Sequence, residues 1–203
     1  MHNAVKLNIF LAPMKSFINF KNSIFAMYKK LIGQKINLRK VVPSDAESIY
    51  QNAKDKDICK AVPLPMPYTL KSAKDYIKFC QRSWNDKSET QFGIEDKETG
   101  KIIGMIGLID LDFKSKKAEV GYWVGKKYWG KGTAKEALKL ILKFAFSNLK
   151  LNRVYAKTYS INLASSKLLE KCNFKLEGRL RKEGKFKGRW DDLLIYGILK
   201  EEY

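Results

Sequence analysis

The chain is poor in histidine, in acid and in closely spaced cysteine. Its one histidine is His2. That excludes an intact Ser-His-Asp or Cys-His site and argues against an imidazole-based metal centre, so no metal is expected. Any base must be a carboxylate, a tyrosine, a lysine or a relayed water. The three cysteines, Cys59, Cys80 and Cys172, stand too far apart for a C-x-x-C pair. An odd number at that spacing fits reduced thiols in a cytoplasmic protein, with Cys80 and Cys172 in apolar helical patterns as packing residues. No run reaches the ~18 apolar residues of a membrane-spanning helix, and a membrane partner is not expected. The Ala12-Pro13 region carries no signal-peptide cleavage pattern.

What is abundant is lysine. Acidic residues number 21 against 40 basic ones, 34 of them lysine, for a net charge of +19. One reading is an acidic partner: a nucleic acid, a ribosome, an anionic cofactor or a membrane surface. The other is the composition of an AT-rich genome. At 203 residues the chain makes one domain with an appendage. Residues 1–35 hold six lysines and no acid, and Phe17, Ile18, Ile24, Phe25, Tyr28, Leu31 and Ile32 recur at near-helical spacing. This tract reads as a basic amphipathic extension over residues 1–34: a helix on a membrane or partner, a short helix packed on the domain, or an overextended start before Met14 or Met27. The second and third readings are preferred. The domain proper spans residues 35–203.

Within it, Ile36 to Val41 alternate as a first strand. Ser44 and Glu47 form a capping-box pattern for a helix to about Ala53. Residues 61–68, AVPLPMPY, hold three prolines and predict a stiff loop, either a pocket wall or a plain connector. Thr69 caps a helix through about Trp84. A hairpin follows over residues 90–111, with Gly104 and Gly107 marking bulges or close backbone approach. Further strands are predicted at 118–124, 153–159, 174–181 and 193–199, with a short helix at 164–171. The order is βααβββαβαββ, a mixed α+β domain.

The densest signal is residues 118–146. A strand leads into a loop from Gly125 to Gly132 with three glycines and three lysines. A helix follows whose apolar face carries Ala134, Ala137, Leu138, Ile141, Leu142 and Ala145. Strand, glycine-rich turn and helix N-terminus suit a phosphate, because bare backbone approaches closely and unpaired N–H groups point outward. Neither G-x-G-x-x-G nor G-x-x-x-x-G-K-[ST] is present.

Three patterns together resemble the GNAT superfamily of acyl-CoA-dependent N-acetyltransferases, most closely its RimJ/RimL-type branch. They are Glu119-Val120-Gly121-Tyr122-Trp123-Val124 with Tyr128-Trp129-Gly130-Lys131-Gly132-Thr133-Ala134, then Asn162-Leu163-Ala164-Ser165 through Cys172-Asn173-Phe174, and Glu177-Gly178-Arg179-Leu180-Arg181 with Asp191 or Asp192 before a last apolar strand. The resemblance covers about residues 36–200. It implies a mixed sheet of about 6–7 strands with about four helices, and acetyl-CoA as co-substrate. It places the pyrophosphate on Gly130, Lys131, Gly132, Thr133 and Ala134. The family's usual Arg or Gln falls on Trp129, and its usual glycine before the final Phe falls on Asn173, a residue that also tolerates a left-handed helix C-cap.

The same resemblance puts Asn162 near the coenzyme A arm and Ser165 near the leaving thiolate. The backbone near Trp123 and Val124 would lie at the thioester, and Lys167 at the phosphates. Capping of the 164–171 helix is the plainer role for Asn162 or Ser165. Glu119 is the leading base, with Glu183 second; an ion pair with one of the many lysines is the alternative for Glu119. The acceptor implied is an amine-bearing protein or peptide, a ribosomal N-terminal α-amine above all, reached through a basic surface drawn to ribosomal RNA. A small polyamine or aminoglycoside acceptor, and a non-catalytic RNA-binding module on the same fold, are the alternatives.

Overall fold

In the computed structural model the described residues are 30–203 except 63, 87 and 187. The tract 1–29, and with it the helical reading of most of its apolar spacing, lies outside them. Eight strands form one sheet: β1 (Lys30–Ile32), β2 (Ile36–Arg39), β3 (Thr90–Asp96), β4 (Ile102–Asp112), β5 (Lys117–Val124), β6 (Arg153–Tyr159), β7 (Lys175–Phe186) and β8 (Arg189–Leu199). Their order is β1-β2-β3-β4-β5-β6-β8-β7. Among the described residues there are five α-helices: α1 (Ala46–Ala53), α2 (Lys56–Ala61), α3 (Leu70–Asp86), α4 (Thr133–Lys143) and α5 (Leu163–Glu170).

Two elements exceed the expected count. The first is β1, whose Leu31 and Ile32 the helical spacing had placed in the extension. Residues 30–32 instead pair antiparallel with β2. The carboxylate of Glu136 on α4 accepts the Gln34 and Lys35 N–H groups at 2.5 and 3.0 Å, which pins the connecting turn. The second is α2, capped where the Asp55 carboxylate accepts the Asp57 N–H at 2.8 Å. The capping box at Ser44 does not form. Asp45 caps instead, accepting the Val42 N–H at 2.8 Å while the Arg39 guanidinium grips both its oxygens at 2.7 and 2.8 Å. The bidentate pair outcompetes a serine hydroxyl for this turn.

Strand alternation divides the core between the two sheet faces. One face carries Leu38, Phe92, Ile94, Ile106, Leu108 and Val120 against Ala137, Leu138, Ile141 and Leu142 of α4. The other carries Val41, Met105 and Trp123 against Ile49 of α1 and Ala73, Ile77 and Cys80 of α3. Gly104 lies so close to the Trp123 carbonyl that any Cβ would clash, so the close-approach reading of that glycine holds. Asn173 ends the α5 turn at φ 66°, the left-handed conformation its sequence position asked for.

The feature that positions the site is a parting of strands. β5 and β6 run parallel and pair only at Lys117–Arg153, Ala118–Val154 and Glu119–Tyr155. Beyond that, β5 continues to Val124 bound to β4, and β6 to Tyr159 bound to β8. The sheet opens into a wedge between residues 120–124 and 156–159.

Candidate active site

One arm of the wedge leads into the glycine loop. Gly125 is buttressed: its N–H donates to the Ile103 carbonyl at 2.8 Å, and the place of a Cβ is taken by the Asn52 side chain. Asn52 is itself fixed, donating to the carbonyls of Ser48 and Ile102 at 2.9 and 3.1 Å. Next, Lys126 pairs with Asp57 of α2 at 2.7 Å. Trp129 donates its indole N–H to the Val124 carbonyl at 2.7 Å, folding the loop back on its own strand. Gly130 and Gly132 then adopt φ 74° and 81°, and a Cβ on either would meet nothing within 4 Å. The positive φ requires glycine here, and the space above the pair is open. α4 starts at Thr133, so by helix geometry the first-turn N–H groups, Thr133 and Ala134 included, lack intrahelical acceptors. Lys131 stands over the Tyr128 ring at 5.8 Å. Bare backbone, a helix N-terminus and lysines make an anion cradle, and the open space fits a pyrophosphate.

The other arm leads into α5. Asp191 on β8 accepts the Ser160 hydroxyl at 2.7 Å and the Ile161 N–H at 3.0 Å, anchoring the turn. Asn162 caps α5, its carboxamide oxygen accepting the Ser165 N–H at 3.3 Å. The Ser165 hydroxyl lies 2.9 Å from that of Tyr122 on β5, so this hydrogen bond bridges the two arms. Burial pushes the Tyr122 phenol up to about 12, against a lowering by Ser165, so it stays protonated in neutral solution. By sequence, Tyr122 has a place in the strand pattern but no role in the chemistry. Its alternation with Val120 and Val124 was the available signal, and the partner 43 residues away was not.

Glu119 sits at the last paired position before the strands part. Its carboxylate is 2.7 Å from Lys157 of β6 and only 14% exposed, so the lysine pairing anticipated for it is present. Lys167 is exposed on α5, two residues past Ser165 and so about half a turn around the helix from it. The Trp123 side chain turns to the α1–α3 face, its backbone is paired toward β4, and its buried indole N–H has no partner among the described residues. Glu183 stands on a bulge of β7, in the wall of an open cavity of about 780 Å³ with Arg179, Arg181, Lys182 and Asp192. It shares no contact with Glu119 there.

The proline-rich loop does form a wall. With the end of α1 and with α2 it encloses a pocket of about 330 Å³ lined by Lys54, Lys56, Cys59, Met66, Pro67 and Tyr68. Tyr68 is 6% exposed and its hydroxyl has no partner among the described residues. Burial raises this phenol to about 12.

Comparison with known proteins fits this geometry. The profile of a family described as "Acetyltransferase (GNAT) domain" matches residues 35–175. The chain is 35% identical over 174 residues to an uncharacterised N-acetyltransferase, p20, of Bacillus licheniformis, covering 85% of this chain and 97% of that one. It is 30% identical over 179 residues to YdaF of Bacillus subtilis, named as a candidate ribosomal N-acetyltransferase, covering 87% and 98%. The solved structure of a Vibrio cholerae spermidine N-acetyltransferase in complex with CoA and spermine superimposes with a TM-score of 0.73 at 25% identity, over 83% of this chain and 98% of that one. A strand pair that parts over a glycine loop and helix N-terminus, matched along most of its length by acetyltransferases, is decisive: the chain belongs to the GNAT family and is an N-acetyltransferase.

Proposed function

We propose that this enzyme transfers the acetyl group of acetyl-CoA directly to a primary amine, and that the acceptor is a protein N-terminal α-amine of the ribosomal type, in the cytoplasm. The observation that carries the reading is the Tyr122–Ser165 bond across the wedge, set beside the open glycine pair. Gly130, Lys131, Gly132, Thr133 and Ala134 would hold the pyrophosphate, with Lys167 on the phosphates and Asn162 on the pantetheine arm. The thioester, when bound, supplies an activated carbonyl carbon and a thiolate leaving group.

The residues of the chain do the rest. The Val124 N–H, which the alternation of the β4–β5 ladder turns away from β4 and into the wedge, polarises the carbonyl. Glu119, at the point of the wedge, takes the proton from the incoming ammonium, directly or through a water. The amine nitrogen then bonds to the carbonyl carbon, the C–S bond breaks, and Ser165, with Tyr122 behind it, passes a proton to the thiolate and is made good by the proton that the acylated nitrogen sheds. No covalent enzyme intermediate is needed. An α-amine suits this site better than a lysine, since its ordinary pKa of about 8 leaves less to remove than about 10.4.

Ribosomal proximity is supported by the β7–β8 hairpin. Arg179, Arg181, Lys182, Lys185 and Arg189 crowd there beside Trp190, which is 61% exposed. Such a face gathers phosphate backbones. The test is coenzyme A release with intact-mass detection over N-terminal peptides, polyamines and aminoglycosides. A gain of one acetyl on a peptide α-amine is the expected result; turnover confined to polyamines or aminoglycosides would overturn the acceptor assignment.

A further inference from the structure

We infer that the pocket between α2 and the proline-rich loop is the acceptor's specificity site, and that it takes a carboxylate: the enzyme selects peptides with an acidic side chain close behind the reacting amine. This rests on the peptide reading of the acceptor given above. Three observations carry it. The first is place. The Lys126–Asp57 ion pair ties α2 to the residue two beyond Val124, and Cys59 and Tyr68 share a cluster with Trp123 of β5. The pocket therefore abuts the end of β5, on the sheet face opposite α4.

The second is unmet hydrogen bonding. Tyr68 lines the pocket, and behind that wall its buried hydroxyl has no partner among the described residues; nor has the Trp123 indole N–H in the same cluster. Both residues are more than nine-tenths buried. An indole N–H only donates, and a neutral phenol donates well, so the complement is an oxygen acceptor. A buried donor left unpaired is destabilising, so a ligand oxygen that reached either group would be held the more tightly.

The third is charge. Lys54 and Lys56 line the same pocket. The neighbouring acids are engaged elsewhere: Asp55 caps α2 and Asp57 holds Lys126. Two ammonium groups with a buried hydroxyl favour a carboxylate and repel a polyamine. Met66 and Pro67 add apolar walls for the methylenes that carry it.

The test compares two acceptor peptides that differ only by Glu or Gln at the second position. The wild-type enzyme should favour the Glu peptide at least tenfold in kcat/KM, the difference falling on KM. Tyr68→Phe, which keeps the ring, and Lys54→Ala/Lys56→Ala should each raise the KM of the Glu peptide and shrink the preference below threefold. Equal KM values in the wild type, or a preference that survives both variants, would overturn the inference. A second readout stands apart from turnover: fluorescence titration with the N-acetylated Glu and Gln peptides, which cannot react. If no peptide is acetylated but the Glu form binds in a Tyr68-dependent way, the acceptor reading fails and the carboxylate site stands. If neither form binds preferentially, the site itself is refuted.

Discussion

On the α4 side of the end of β5 the chain presents backbone. Gly130 and Gly132 are bare, left-handed and open above, and the first turn of α4 follows at once. On the α1–α3 side it presents side chains: the buried Tyr68, Trp123 and Cys59, two of them with donors unmet among the described residues, and the exposed Lys54 at the end of α1 and Lys56 of α2. A backbone site recognises what every donor of the group shares, a pyrophosphate. A side-chain site can be retuned one residue at a time, which suits the partner that differs between relatives. On the proposed assignment, one strand end serves a constant ligand on one face and a variable one on the other.

The largest effect should come from the bridge between the arms. Ser165→Ala should cut kcat by about 10²-fold or more with little change in coenzyme A affinity, in line with a lost general acid. Tyr122→Phe, tested in the same steady-state assay, should fall between it and the wild type. If Ser165→Ala is fully active, Ser165 is only part of the α5 cap. Acid separates the frame from both faces. Burial alone would raise the Glu95 carboxyl, but Lys30, Arg39 and Asn37 bring it down to about 2. A depressed carboxylate stabilises above its unfolded value and loses that contribution as pH falls through about 2. The shift corresponds to about 3 kcal/mol, and Glu95→Gln should flatten acid denaturation curves by about that amount.

Smaller still is the support both faces share. Asn52→Ala removes two buried hydrogen bonds and the wall behind Gly125. It should lower stability by about 2 kcal/mol in urea denaturation and weaken both ligands together. The smallest change sharpens the comparison most. Trp129→Phe deletes one hydrogen bond to the Val124 carbonyl, worth about 1 kcal/mol. It should raise the KM for acetyl-CoA about fivefold and spare the peptide KM. Equal effects on both would mean that the two faces are not independent.

The same contrast explains what could be read in the chain. The glycine loop was legible because its function lies in local pattern: glycines at 130 and 132, then an apolar helical stripe from Ala137 to Leu142 that the structure buries. Asn173 was legible for the same reason, as a C-cap conformation is a local property. What escaped depends on residues far apart. β1 needs β2 and Glu136 to outweigh a weak helical period. Tyr122 becomes a site residue only through Ser165. Tyr68 belongs to a proline-rich stretch that the sequence marks as a wall or a connector, and nothing local says that its hydroxyl is buried behind a pocket wall with no partner among the described residues.

The most direct measurement is calorimetric titration of coenzyme A into the wild type, Gly132→Ala and Gly132→Glu. Both substitutions force a side chain into φ 81°, and a Cβ there meets nothing, so the two share one backbone penalty. Their difference isolates charge in the cradle. Alanine should weaken binding by about tenfold or less, and glutamate by at least a further tenfold, with both variants folded by circular dichroism. Equal affinities for the two variants would contradict a pyrophosphate seated on this loop.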